Sequence, residues 1–138
     1  MNTLIDTDAL LGIFNTADPL HKDATALAKK LAKKEINTLI LPTTLSEFAR
    51  VASYQIGVKE AQEATKILAN SALSVLEVTE DLTKKAVSIY EKQTSKKESL
   101  FDCYVMAAAE KLGIKYIFSF DGGYSKKVNG FQLASDIA

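Results

Sequence analysis

The sequence predicts an α/β fold, a parallel sheet covered by helices on both faces, in one domain spanning residues 1–138. Two observations predict it. Short apolar runs alternate with segments of helical hydrophobic period, the pattern of repeated strand–helix–strand crossovers. No internal repeat, linker or low-complexity tract divides the chain, and its length suits one core. A third observation bears on function. Four carboxylates, Asp6, Glu47, Asp102 and Asp121, each fall where an apolar run gives way to a turn or helix. In an open α/β sheet the binding crevice lies outside the carboxyl ends of the strands.

Asn2–Ile5 is a short apolar run ending in an acid and reads as the first strand. Leu20, Ala24, Leu27, Ala28 and Leu31 recur at helical spacing, so 20–34 is an amphipathic helix that Asp18-Pro19 starts. Thr38–Leu41 reads as the second strand, closed by Pro42. Leu45, Phe48, Ala49, Ala52 and Ile56 mark a helix stopping at Gly57, and Ala61, Ala64, Thr65 and Leu68 mark another. Leu73–Val78 is the third expected strand, followed by a helix through Leu82, Ala86, Ile89 and Tyr90. The polar, lysine-rich stretch 91–98 reads as a solvated helix end or loop. Phe101, Tyr104, Val105, Ala108, Ala109 and Leu112 form a strongly periodic helix capped by Gly113. Tyr116–Phe120 is the fourth strand, Asp121-Gly122-Gly123 a turn, and Phe131–Leu133 a short edge strand.

Composition narrows the classes. At 47% hydrophobic and 25% charged residues the chain has the content of a soluble protein. No apolar stretch reaches the ~18 residues of a membrane span, and Met1–Asp6 lacks the features of a signal peptide. A single cysteine, Cys103, excludes an internal disulfide and suits a reducing compartment, so the expected location is cytoplasmic. The 17 basic and 17 acidic residues sum to zero net charge, which argues against a tight, indiscriminate nucleic-acid binder. Arg50 is the sole arginine among the basic residues, so polyanion contact through the lysines would be loose and salt-sensitive.

Each acid has an ordinary structural use. Thr44-x-x-Glu47 matches a capping box and Ser99-x-x-Asp102 approximates one. Glu47 can also pair with Arg50, Asp121-Gly122 is a common tight turn, and Asp6 can cap a helix. Together they mean more. Parallel topology delivers strand ends to one edge, and two carboxylates ~5 Å apart repel by roughly 3 kcal/mol at an effective dielectric near 20. A divalent cation relieves that repulsion, and an all-oxygen donor set favours Mg²⁺ or Mn²⁺ over zinc. His21, at a helix start, reads as exposed rather than as a ligand, and Cys103 as a buried inert thiol.

The arrangement resembles the PIN-domain family of small Mg²⁺-dependent ribonucleases. Ile5-Asp6-Thr7-Asp8-Ala9-Leu10-Leu11 is similar to the family's opening motif, with Asp8 where Asn is commoner. Leu45-Ser46-Glu47-Phe48 resembles its second acidic motif, and 99–109, an acid opening an alanine-rich helix, its third. Ser119-Phe120-Asp121 with Tyr124-Ser125-Lys126 resembles the fourth, with Gly122-Gly123 where a charged residue is common. The length resembles the toxin branch, the VapC-like proteins.

This resemblance implies a three-layer α/β/α sandwich with a four- to five-stranded parallel sheet that hydrolyses single-stranded RNA. It implies that Asp6, Asp102 and Asp121 bind Mg²⁺ (or Mn²⁺) directly or through water, Asp121 by way of water, with Glu47 completing the catalytic pocket. Thr7 and Ser119 are then groups that hydrogen-bond the acids or water. Lys126 and Lys127, and after them Lys96 and Lys97, are placed to contact RNA phosphate, and Tyr124 to stack on an unpaired base. The toxin branch implies a homodimer and a cognate antitoxin; the apolar stripes at 45–56 and 61–68 are candidate dimer surface. Two alternatives stand beside it. Asp6-Thr7-Asp8 also resembles the nucleophile motif of haloacid-dehalogenase-type phosphatases, and a PIN-like scaffold can bind RNA or protein without turnover.

Overall fold

The computed structural model describes residues 1–71, 73–94, 98–125 and 131–137. Strand β1 (Asn2–Ile5) lies at the centre of a five-stranded sheet. On one side it pairs with β2 (Asn37–Ile40), which pairs with β3 (Ser74–Val75). On the other it pairs with β4 (Tyr116–Phe118), which pairs with β5 (Gln132–Leu133). Every ladder is parallel, and the order is β3-β2-β1-β4-β5. The chain therefore builds outward from β1 in one direction and then returns to build in the other. The crevice between β1 and β4 is the point where the strand order reverses, the usual ligand position in such sheets.

Strand residues alternate between two cores, as a period of two requires. Leu4, Leu39 and Ile117 face the layer of α5 (Glu80–Glu91) and α6 (Leu100–Leu112), where Leu82, Ala86, Val105 and Met106 are buried. Ile5, Ile40 and Phe118 face the opposite layer. That layer holds α1 (Thr7–Phe14), α2 (His21–Lys33), α3 (Pro42–Gln55) and α4 (Val58–Ala69). The expected three-layer parallel architecture is the one observed. A Cβ at Gly12 would come within 2.9 Å of the Ala24 Cβ, so the glycine lets α1 and α2 pack closely. At the far end of α6, Gly113 closes the helix in the left-handed conformation at φ 66°.

Three expectations change, and one element is added: Thr7–Phe14, to which the sequence pattern assigned nothing, forms helix α1 with Asp6 in the cap role open to it. The third strand shrinks from 73–78 to Ser74–Val75, since only Leu39 and Ile40 of β2 offer it partners. The fourth ends at Phe118, because the Phe120 N–H bonds the Asp8 carboxylate rather than a neighbouring strand. The 45–56 and 61–68 stripes lie largely in the core, with Phe48, Ala52, Ala61, Ala64 and Leu68 buried. Exposed apolar groups do occur on these two helices, but at other positions: Tyr54, Val58 and Ile67.

Candidate active site

Four chain segments meet at the carboxyl edge of the sheet. Asp6 follows β1 directly, its N–H extending the ladder to Phe118 O at 3.0 Å. Glu47 stands in the second turn of α3, Asp102 in the first turn of α6, and Ser119–Asp121 leave β4. The carboxylates sense one another: Asp6 with Asp102 and Asp8, Glu47 with Asp102 and Asp8, and Asp121 with Asp102 and Asp8. The four acids singled out from the sequence are thus brought together. Asp8 joins them as a fifth.

Local structure explains most of their positions. Asp6 is the N-cap of α1, accepting from Thr7 N at 2.8 Å through Oδ1. Ser99 and Asp102 form a reciprocal capping box: Ser99 Oγ accepts from Asp102 N, and Asp102 Oδ2 accepts from Ser99 N at 2.8 Å. Asp121 Oδ1 accepts from Gly123 N at 2.9 Å in the turn after β4. Glu47 is the exception. Helix α3 begins at Pro42, behind Leu41 as N-cap, so Glu47 is too far along it to serve the capping box suggested by Thr44. Its Oε1 instead accepts a very short hydrogen bond from Thr7 Oγ1 on the first turn of α1. Among the described residues, the buried hydroxyls of Thr43 and Thr44 at the start of α3 have no hydrogen-bond partner.

Asp8 and Ser119 tie the first turn of α1 to the segment leaving β4. Asp8 Oδ1 accepts from Ser119 Oγ at 2.9 Å and from Ala9 N at 2.8 Å, and Oδ2 accepts from Phe120 N at 2.7 Å. Ser119 Oγ in turn accepts from Asp121 N at 3.0 Å. Thr7 and Ser119 therefore both touch acids of the cluster. Beside this group, the Glu98 Oε1 and Asp121 Oδ1 atoms lie 3.1 and 3.2 Å from where a Cβ on Gly123 would sit. That glycine keeps the turn clear of both carboxylates.

Tyr124 lies at the centre rather than at the rim. Its ring is 2% exposed, and its hydroxyl meets Asp6 Oδ2 at 2.5 Å and Asp102 Oδ1 at 3.1 Å. This corrects the expectation that Tyr124 stacks on an RNA base, since its ring faces belong to the core. Lys126 and Lys127, and also Lys96 and Lys97, lie outside the described residues. His21 is half-buried, with Nδ1 2.7 Å from the Gly12 carbonyl. Cys103 is fully buried, and burial pushes its thiol up to about 11, with Asp102 and Glu98 adding to the effect. It is an inert core thiol.

Desolvation governs the electrostatics. Burial lifts the Asp6 carboxyl from its ordinary 3.8 to about 7; the Tyr124 hydroxyl opposes this, and the Asp102 and Asp8 charges reinforce it. Asp8, Glu47 and Asp102 are raised as well, in each case chiefly by burial. Their hydrogen bonds work the other way, from Phe120 and Ser119 to Asp8, from Thr7 to Glu47, and from Ser99 and Tyr124 to Asp102. The Tyr124 phenol is driven far above its usual value by burial and by the two carboxylates it faces.

The site therefore holds more negative charge than its own donors neutralise. Its ligand atoms are all hard oxygens, the chemistry of Mg²⁺ or Mn²⁺. Asp6 Oδ2 and Asp102 Oδ1 can be no more than 5.6 Å apart, the length of the two Tyr124 contacts laid end to end. On these grounds the residues fit a divalent cation. Among the described residues, no three His, Cys, Asp or Glu side chains already form a closed metal cage.

Comparison with known proteins agrees with the fold. The model of the PIN domain family matches residues 3–129. No curated protein sequence matches. Among solved structures, VapC20 of Mycobacterium tuberculosis, described as a sarcin-ricin loop cleaving toxin, superposes with a TM-score of 0.80 at 24% identity, covering 94% of this chain and 95% of that one. A toxin–antitoxin complex from Klebsiella pneumoniae gives 0.65 at 15% identity, over 96% and 97%. No helix among the described residues is long and apolar enough to cross a membrane.

Proposed function

The chain belongs to the PIN-domain family, and on that premise we propose that residues 1–138 form one nuclease domain, a Mg²⁺-dependent endoribonuclease acting on single-stranded RNA. The observation that carries the proposal is the convergence of Asp6, Glu47, Asp102 and Asp121 at the strand-order reversal, with a buried Asp6 and half-buried Glu47 and Asp102 whose charge is incompletely neutralised. Asp6 and Asp102 would hold the cation, with Asp121, exposed at the rim, contributing through water. When bound, the cation supplies Lewis-acid activation of water and neutralises charge developing on the scissile phosphate. Glu47 keeps Oε1 on Thr7, which leaves Oε2 to accept the proton of the attacking water. Water oxygen bonds to phosphorus, the P–O3′ bond breaks, and the 3′-oxygen takes a proton from solvent. Ser119 and Asp8 fix the turn that presents Asp121. Lys126 and Lys127 are proposed as phosphate contacts from their place in the sequence alone.

Similarity in fold to VapC20 and to the Klebsiella toxin–antitoxin complex supports a toxin role with a cognate antitoxin, while a cytoplasmic location and a homodimeric state are proposed from the family resemblance alone. Incubating the purified chain with a mixed RNA pool under Mg²⁺ or Mn²⁺ tests the activity. Multiple-turnover cleavage supports the proposal. RNA binding without cleavage under every divalent ion tried would instead make the chain a binding scaffold, and an acid-stable aspartyl-phosphate would make it a phosphatase.

A further inference from the structure

Asp6 and Asp102 each commit one carboxylate oxygen to a local backbone donor. Asp6 Oδ1 accepts from Thr7 N, and Asp102 Oδ2 accepts from Ser99 N and, at 3.1 Å, from Ser99 Oγ. Their other oxygens, Asp6 Oδ2 and Asp102 Oδ1, converge on a single atom, the Tyr124 hydroxyl. We propose that Tyr124 is a positioning residue for the two metal-binding acids: its hydroxyl sets the spacing and direction of the two oxygens that receive the divalent cation. The inference rests on the reading of Asp6 and Asp102 as metal ligands.

Three features separate this from ordinary core packing. The ring is held on all sides, being buried in the same cluster as Leu4, Cys103, Ile117 and Phe131, and the Tyr124 carbonyl accepts from Phe131 N at 3.2 Å. The hydroxyl therefore has a fixed address. A buried phenol also needs only one acceptor, because it carries one proton. Here a second carboxylate is brought to the same oxygen, an arrangement that packing alone would avoid because it gathers like charge. Finally, a carboxylate oxygen accepts more than one bond, so an acid that accepts from Tyr124 keeps a lone pair for a cation. Outer hydrogen-bond partners that orient ligating carboxylates in this way typically contribute about 10–100-fold to metal affinity.

The test compares the full chain with its Tyr124→Phe variant, both checked for native circular dichroism, in calorimetric titrations with Mn²⁺ at pH 8. The variant is expected to bind about 10–100-fold more weakly. Affinity within twofold of wild type, or tighter, overturns the inference. A second readout needs no variant. The chain has five tyrosines and no tryptophan, so tyrosine absorption is directly visible. Mg²⁺ titration of the wild-type chain is expected to perturb the near-ultraviolet spectrum, and the change is expected to be absent in Tyr124→Phe. No spectral change at saturating Mg²⁺ overturns the inference even where the variant does not fold. A wild-type chain that binds no divalent ion refutes the metal reading itself, whereas normal binding with an indifferent Tyr124→Phe refutes the positioning role alone.

Discussion

Asp6 and Asp8 stand two residues apart at the end of β1, yet the fold treats their carboxylates in opposite ways. Asp8 is surrounded by donors from Ala9, Ser119 and Phe120, and both its oxygens are occupied. It acts as a strut between α1 and the end of β4. Asp6 is 5% exposed and has one backbone donor, and its second oxygen shares a single phenol with Asp102. The first half of the site is complete as folded. The second half is short of positive charge, which a divalent cation would supply. Proximity in sequence says little about role; the number of donors around each carboxylate says more.

The sharpest way to break this contrast is to remove each acid in turn. Asp6→Asn is expected to lower RNA cleavage by a thousandfold or more, the scale of several kcal/mol of lost charge stabilisation. At pH 8 and without metal it is expected to leave the fold as stable as wild type or more so, because the buried charge is gone. Asp8→Ala should do the reverse to stability and destabilise by about 3 kcal/mol, since three donors lose their acceptor. Chemical denaturation of both variants checks this. Equal stability losses would erase the distinction.

The next prediction concerns pH. The folded chain holds a proton on Asp6 up to about 7, while an unfolded aspartate releases it near 3.8. Between those values the folded state binds more protons than the unfolded one, so stability falls as pH rises. The stabilisation is complete below about pH 4 and lost as pH passes 7. Metal-free protein should lose on the order of 3 kcal/mol between pH 4 and pH 8. Excess Mg²⁺ should restore much of it at pH 8 by mass action. Thermal melts with EDTA or Mg²⁺ at the two pH values measure both effects. Metal-free stability that rises with pH would contradict the account.

Smaller effects sharpen the comparison. Thr7→Val removes the donor to Glu47 and is expected to slow cleavage by roughly tenfold, with about 1 kcal/mol of stability lost. Ser99→Ala breaks the capping box of α6, costs about 1 kcal/mol, and lowers activity least, because Asp102 retains the Ser99 backbone N–H. Steady-state cleavage and denaturant midpoints distinguish the two.

Much of the architecture was legible because it depends on period. Leu4 and Ile5 point to opposite cores, and of the periodic set on α6 Val105, Ala108 and Ala109 are buried, whereas Leu112 is exposed. Junctions were harder to read. Asp6 ends a strand and caps a helix at once, so no turn residue separates β1 from α1. For Asp6, Asp102 and Asp121 the structural reading proves true and leaves the site intact, since each can cap or turn with one oxygen and face the pocket with the other. Glu47, the acid most readily explained as a cap, does not serve as one, because Pro42 moves the start of α3 back. Asp8 carried a visible signal in the Asp6-Thr7-Asp8 spacing, although its strut role depends on Ser119 and Phe120 more than a hundred residues away. Tyr124 stood in the fourth motif, but nothing local pointed its hydroxyl at the acids. Its hydroxyl reaches Asp6 across 118 positions, a contact that tertiary packing alone creates.

The central claim is that cleavage depends on a cation held by Asp6 and Asp102. Its most direct test is the initial rate of RNA cleavage as a function of Mg²⁺ concentration for the wild-type chain and for folded Asp102→Asn. The expected result is a saturable rise in the wild-type rate, no cleavage in EDTA, and no detectable rise in the variant. A rate in Asp102→Asn that matches wild type, or cleavage that persists undiminished in EDTA, would contradict it.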